Sequence, residues 1–213
     1  MKPAAVFDHL VVAAATLEQG ETYLEAQLGV RPQRGGKHLA MGTHNSLIKL
    51  GARHYLEVIA IDPDASAPPH PRWFGLDTTA LGSALRAKPR LIHWVARTAD
   101  IDAARRALTV DPGTVHAMTR GAFVWRITVP ADGSLPGGGV LPTLIQWADA
   151  RHPADSMPDA GVRLVALAGA HPQPEVIRSA LAALALGDTI KITYAEQPRI
   201  AALLRTPRGP VML

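Results

Sequence analysis

His9-Leu10-Val11-Val12, three residues, and then Thr16-Leu17-Glu18 recurs in pattern as His93-Trp94-Val95-Ala96, three residues, and then Asp100-Ile101-Asp102. In both stretches an apolar run reads as a strand. A capping residue follows, and an apolar residue with an acid opens a helix. A supersecondary unit repeated within one chain implies two copies that pack to complete a shared core. Further on, Leu56-Glu57-Val58 lies 48 residues past the first His, and Ile145-Gln146-Trp147 lies 53 past the second.

Outward from these anchors the first copy reads as a strand over Val6 to Val12 and a helix opened by Thr16 and Gln19. Leu17, Tyr23, Leu24 and Leu28 form its apolar side, and Gly29 is its stop. Arg31 to Lys37 reads as a Pro/Gly-rich turn, with a short strand near His38 to Met41. Strands over Asn45 to Leu50 and His54 to Ile61 follow, joined through Gly51. Four prolines between Asp62 and Pro71 end the strand, and Trp73 to Ala87 is irregular with some helical spacing. The second copy has a strand over Leu91 to Ala96 and a helix over Ile101 to Leu108. Its further strands are Val115 to Met118, Phe123 to Val129 and Thr143 to Trp147, with a loop over Pro130 to Pro142. A third, incomplete unit has a strand at Val162 to Ala168, a helix at Pro174 to Leu186, a strand at Thr189 to Tyr194 and a terminal hairpin. It lacks the His and is expected to cover a sheet edge. The expectation is an α+β fold: paired βαβββ modules with curved mixed or antiparallel sheets forming a groove, plus a partial βαββ unit. The units are 1–62, a Pro-rich insertion 63–89, 90–150 and 160–213.

Composition narrows the function. The 213 residues include no Cys, which removes disulfides, thiolate metal ligands and Cys nucleophiles and fits a reducing cytoplasm. No stretch reaches the roughly 18 to 20 apolar residues of a membrane span, and the first residues lack a signal-peptide pattern. The net charge is +4, but the basic residues are scattered and aromatics make up only 5% of the chain, which argues against nucleic acid as a partner. Gly137-Gly138-Gly139 is followed by neither Lys-Ser/Thr nor a helix start, so it is no phosphate loop.

A carboxylate within the apolar run Leu56 to Ile61 costs several kcal/mol to bury unpaired, so Glu57 needs a cation, a donor or solvent. Arg97 and Arg126 are candidate partners. Alternation puts His9 on the same strand face as Phe7 and Val11, and Glu57 with Tyr55 and Ile59.

Paired modules of this kind, each with a His on its first strand and a carboxylate or amide on its last, resemble the vicinal oxygen chelate superfamily, which includes glyoxalase I, extradiol dioxygenases and bleomycin resistance proteins. Phe7-Asp8-His9-Leu10-Val11-Val12, Gly42-Thr43-His44-Asn45, Tyr55-Leu56-Glu57-Val58-Ile59-Ala60, Arg72-Trp73-Phe74-Gly75-Leu76 and Thr206-Pro207-Arg208-Gly209 are similar to the bacterial glyoxalase-like domain proteins. The resemblance implies a divalent metal in the inter-module groove, held by His9, Glu57, His93 and Gln146, a donor set suited to Zn, Ni, Mn or Fe. It implies a metal-dependent enzyme of lyase or isomerase type acting on a small oxygenated substrate, with Glu57 as ligand or base, since Gln146 cannot accept a proton. Two alternatives stand beside it. One is a non-catalytic small-molecule binding or resistance-type protein; the other is a non-haem Fe(II) oxygenase using His9, His93 and Glu57. His44 and Asn45 are candidates to bind substrate oxygens, or are turn residues. Trp73 and Phe74 are candidates for a pocket wall, or are loop anchors. His152 and His171 read as solvated turn residues. The resemblance also admits a homodimer, with the third unit competing for the same surface.

Overall fold

The computed structural model describes residues 3–213. Strand β1 (Ala5–Ala13) leads into helix α1 (Leu17–Leu28), whose N-terminus is capped by Thr16 Oγ1 accepting from the Gln19 amide at 3.1 Å. Gly29 closes the helix in the left-handed region, at φ 72°. Strands β2 (Gln33–His38), β3 (Thr43–Gly51) and β4 (His54–Ile61) complete the first module. Most of the stretch expected as a turn, Arg31 to Lys37, is the extended edge strand Gln33–His38, and Leu39–Met41, expected in a short strand, is a 3-10 turn. The two glycines of β2 lie at a bulge between Arg34 and Gly36, where the chain passes too close to Asn45 for a side chain at Gly35.

The Pro-rich stretch carries a short 3-10 turn at Trp73–Gly75 and helix α2 (Thr79–Ala87). The second module follows as β5 (Arg90–Thr98), α3 (Ile101–Ala107), β6 (Thr114–Arg120), β7 (Phe123–Val129) and β8 (Thr143–Trp147). Asp100 caps α3 by accepting from the Ala103 amide at 2.9 Å.

The eight strands form one curled sheet in the order β2-β3-β4-β1-β5-β8-β7-β6. The modules join through β1 and β5, which run antiparallel with Leu10 opposite Trp94, His9 opposite Val95 and Val11 opposite His93. This register places the two histidines symmetrically about the Leu10–Trp94 pair. Each first strand also pairs in parallel with the last strand of its own module. Curling brings the edge strands β2 and β6 toward each other. A Cβ on Gly36 would lie 3.1 Å from the side chain of Arg120.

Val11, Ala13, Ile59, Val95, Trp125 and Ile145 face the concave side. Leu10, Val12, Leu56, Val58, Trp94 and Ala96 face the convex side. The C-terminal unit consists of β9 (Arg163–His171), α4 (Pro174–Ala183), β10 (Lys191–Tyr194), β11 (Arg199–Thr206) and β12 (Gly209–Met212), in the order β10-β9-β11-β12. The expected terminal hairpin forms between β11 and β12. The expected cover of a sheet edge does not. This four-stranded sheet is separate, and Leu167, Leu181, Leu184, Ala202 and Leu204 join the convex apolar cluster. A sheet with two apolar faces needs a second layer more than it needs another strand.

Trp94 sits at the centre of that contact, fully buried, stacked on Phe7 with ring centroids 6.3 Å apart and donating from its indole N–H to the Val140 carbonyl at 2.8 Å. Trp94→Ala is expected to destabilise the fold by about 3–5 kcal/mol, read as a lowered denaturant midpoint.

Candidate active site

The concave face holds a narrow cavity between the two modules, walled by Tyr55, Trp73, Phe74, Trp125 and Trp147 and carrying His9, His38, Glu57 and Arg120 as its polar groups. A water-sized sphere has only about 20 Å³ in which to move its centre, room for about one water.

His9 reaches this cavity through a break in the β1 pairing. Phe7 lies opposite Ala96 and His9 opposite Val95, so Asp8 is an extra residue. The break overturns the expected alternation at one position: Phe7 packs on the convex side, while Val11 is concave like His9. Consecutive Asp8 and His9 therefore both reach the concave side. His9 Nδ1 lies 2.7 Å from Asp8 Oδ1, and its ring stacks on Tyr55 at 4.3 Å. Asp8 is completely buried, yet it also accepts from Trp147 Nε1 at 3.1 Å and faces His152 Nε2 at 3.2 Å, with Arg97 at 3.7 Å. Burial, the largest influence, raises the Asp8 pKa. The hydrogen bonds from His152 and His9 outweigh it and hold the carboxyl well below the ordinary carboxylate range. His152 is thus a buried partner of Asp8 rather than a solvated turn residue. Its Nδ1 accepts from the Ala154 amide, so Nε2 is the nitrogen that donates.

Glu57 projects from β4 beside His9. Its Oε2 lies 3.8 Å from His9 Nε2, and its Oε1 accepts from Asn45 Nδ2 at 2.5 Å. The partner its burial demands is therefore Asn45 rather than an arginine: Arg97 donates to the Phe7 and Arg53 carbonyls, and Arg126 pairs with Asp102. His38 from edge strand β2 lies 4.0 Å from Glu57 Oε1. Burial first, then the charge of Arg120, holds the His38 pKa well below its ordinary value. His38 Nε2 therefore accepts from Arg120 Nη1 at 3.2 Å, leaving Nδ1 to donate to Thr43 Oγ1 at 3.1 Å.

Three sequence candidates lie elsewhere. His93 is fully buried, with Nδ1 3.2 Å from the Gly139 carbonyl and Nε2 accepting from the Thr143 amide at 3.1 Å. Both ring nitrogens are occupied. Gly139, at φ 95°, runs so close to β5 that a Cβ would lie 2.4 Å from the Ile92 carbonyl, which puts its own carbonyl within reach of His93. Gln146 faces away from the cavity, its Oε1 accepting from the Ile101 amide at the start of α3, while Ile145 and Trp147 line the cavity. His44 lies on the opposite face of β3 from Asn45, 4.0 Å from Asp62. Trp73 and Phe74 do form cavity wall, stacked 5.3 Å apart, with Phe74 held at φ 60°.

The pairing explains the misplacement of Gln146. Val11 lies opposite Glu57 in the first module, and the equivalent Val95 lies opposite Thr143 in the second. Thr143 thus occupies the place of Glu57, and its Oγ1 lies 2.9 Å from His93 Nε2. The four-donor set His9, Glu57, His93 and Gln146 does not converge. Among the described residues no group of three or more His, Cys, Asp or Glu is placed to hold a metal ion.

Paired βαβββ modules curled around a concave polar site define the class. The profile described as "Glyoxalase-like domain" matches residues 7–185, and the chain belongs to that family. The likeness to the glyoxalase-like domain proteins read from the sequence is thus shown. No curated protein matches the chain. Among solved structures, a hypothetical protein from Staphylococcus aureus is similar at 15% identity, over 91% of this chain and 87% of that one, with a TM-score of 0.62. Methylmalonyl-CoA epimerase from Mycobacterium tuberculosis is similar at 17% identity over 68% of this chain and 88% of that one, TM-score 0.42. A mutant 4-hydroxymandelate synthase from Streptomyces coelicolor is similar at 16% over 99% of this chain and 62% of that one, TM-score 0.46. These likenesses concern the fold. No helix among the described residues is long and apolar enough to cross a membrane.

The occupied His93 has a measurable consequence. Burial lowers its pKa from 6.5 to about 3, only partly offset by the Gly139 hydrogen bond. A folded-state pKa below the unfolded one means that the unfolded chain binds the extra proton first. Stability is then complete above pH 6.5 and falls as the pH drops toward about 3, with His38 adding in the same direction. Denaturant titrations across this window should show stability falling with acidity, and His93→Gln should flatten the slope by about one proton's worth.

Proposed function

We propose that this chain is an enzyme of lyase or isomerase type, moving a proton on a small oxygenated substrate with Glu57 and His9 as the acid–base pair. The observation that carries this reading is His9 Nε2 facing Glu57 Oε2 at 3.8 Å on one aromatic-walled cavity, with Asp8 behind the imidazole at 2.7 Å. Glu57 receives the proton from a carbon next to a carbonyl. The C–H electron pair moves toward the carbonyl to form an enolate, and His9, entering the step as the imidazolium with its Nδ1–H on Asp8, gives its Nε2 proton to the oxygen and is left neutral. Asp8 fixes the ring orientation and offsets positive charge on it, as a buried carboxylate does behind a catalytic imidazole.

Of the metal ligands implied by resemblance, His9 and Glu57 face the cavity and His93 and Gln146 do not, so the chemistry is assigned to the chain's own groups. The two-His, one-carboxylate set of an oxygenase lacks its second imidazole for the same reason. The test is exchange of carbon-bound hydrogen in heavy water, followed by proton NMR for a panel of small 2-oxo and 2-hydroxy compounds. Wild-type protein treated with a chelator should exchange at least one of them, and Glu57→Gln and His9→Asn should each slow it by about 100-fold or more. Full activity in Glu57→Gln would remove Glu57 as the base. An absolute requirement for added divalent metal would overturn the assignment to protein groups, and binding without exchange would favour a sequestering protein. Asp8→Asn should lower the rate less than His9→Asn, because it disturbs orientation and leaves the ring in place.

A further inference from the structure

His152 is a buried titratable side chain that the proton transfer above leaves without a part. It follows β8 at the head of a short 3-10 turn, Pro153–Asp155, which packs against β4 of the first module. That turn fixes the residue twice. The His152 amide donates to Asp155 Oδ2 at 3.0 Å, and the ring Nδ1 accepts from the Ala154 amide at 3.2 Å. The ring lies between those of Tyr55 and Trp147, with centroids 5.5 and 5.3 Å away. With Nδ1 used as an acceptor, the one ring proton of neutral His152 is on Nε2, and Nε2 lies 3.2 Å from Asp8 Oδ2.

The two oxygens of Asp8 are engaged differently. Trp147 Nε1 also donates to Oδ2, at 3.1 Å, so two N–H groups converge on that oxygen and fill its two lone pairs. Oδ1 is left for His9 Nδ1 at 2.7 Å. A rival donor stands close by: Arg97 Nη1 lies 3.7 Å from Oδ2 and is occupied by the Phe7 and Arg53 carbonyls. A buried carboxylate that loses a donor turns toward whatever donor remains in reach, and a turn toward Arg97 takes Oδ1 off the His9 ring. His9 has a carboxylate on each side, Asp8 at Nδ1 and Glu57 at Nε2. The neutral ring has one proton to give them, and the hold of Asp8 decides which nitrogen keeps it.

We propose that His152 is a positioning residue of this site: by donating to Asp8 Oδ2 it keeps Oδ1 on His9 Nδ1, and so turns the bare nitrogen of neutral His9 toward Glu57. This deepens the proton-transfer reading and rests on it for the use made of His9.

The test is heteronuclear NMR of the histidine rings in the full chain, without substrate, at a pH where the rings are neutral. His9→Asn and His152→Gln assign the signals. The wild-type protein should carry the His9 proton on Nδ1 and the His152 proton on Nε2. His152→Asn keeps an acceptor for the Ala154 amide and loses the reach to Asp8, so it should move the His9 proton to Nε2 in about half of the molecules or more. His152→Gln places an amide N–H near the position of Nε2 and should restore the proton to Nδ1. A merely structural role gives the reverse ranking, because Asn preserves the turn and Gln gives it up. Hydrogen exchange in heavy water should slow by about tenfold in His152→Asn, in kcat with KM unchanged, and recover in His152→Gln. A His9 proton still on Nδ1 in folded His152→Asn overturns the proposal. A wild-type His152 with its proton on Nδ1 overturns it too, and that measurement needs no variant to fold. If the wild-type protein exchanges no substrate hydrogen, the acid–base reading falls while the ring signals still decide what His152 does to His9, so the two fail separately.

Discussion

The antiparallel pairing of β1 with β5, centred on Leu10 opposite Trp94, is the contact on which the molecule depends. It joins two modules that each leave an apolar strand face unfilled, and it sets both faces of the sheet at once. On the convex side it presents Leu10, Trp94, Val12 and Ala96 as a surface for α1 and the C-terminal sheet. On the concave side it brings His9 and His93 to symmetric places. A slip of one residue would exchange these faces and drive both histidines into the convex apolar layer.

Symmetric placement has not produced symmetric chemistry. At the first position a bulge inserts Asp8, so a buried carboxylate sits behind the imidazole and Nε2 faces Glu57. At the second, Thr143 stands in the place of the carboxylate, and the ring is consumed by Gly139 and Thr143. The first module's histidine thus faces the polar cavity, and the second module's is a satisfied core histidine. The difference is electrostatic as well as geometric. His93 is held neutral by its burial, while Asp8 stays charged because several donors converge on it despite the same kind of burial. The wall around the site is held at a cost, since Phe74 sits at φ 60° to stack on Trp73, a conformation that costs about 1–2 kcal/mol for a residue other than glycine.

Much of the frame was legible because its signals are local. Thr16 and Asp100 cap the helices for which their sequence context marked them, and Gly29 ends the first helix. Glu57 was conspicuous as a charge inside an apolar run, and its burial beside His9 follows from the same cost. Asp8 carried that signal too, a carboxylate beside His9 within β1, but its side was hidden because a bulge breaks the alternation that sequence reading assumes. His38, Arg120 and Trp147 reach the cavity from strand segments far apart in the chain, and nothing in their own neighbourhoods marks them. Gln146 does not take the place of Glu57 because the loop over 130–142 sets where β8 begins, and a repeat does not encode the length of its loops. The strand pairing shows the equivalent position to be Thr143.

The sequence by itself determined the repeat, the helix ends, the alternating strand faces and the presence of His9 and Glu57 as polar groups in apolar strands, because each of these is set by neighbours a few residues away. Only the tertiary structure decided which histidine keeps a free nitrogen, which last-strand residue opposes it, and that edge strands β2 and β6 close over the cavity with Arg120 between them. Those outcomes depend on register, bulges and the curl of the sheet, which arise when distant strands pair and which no local pattern encodes.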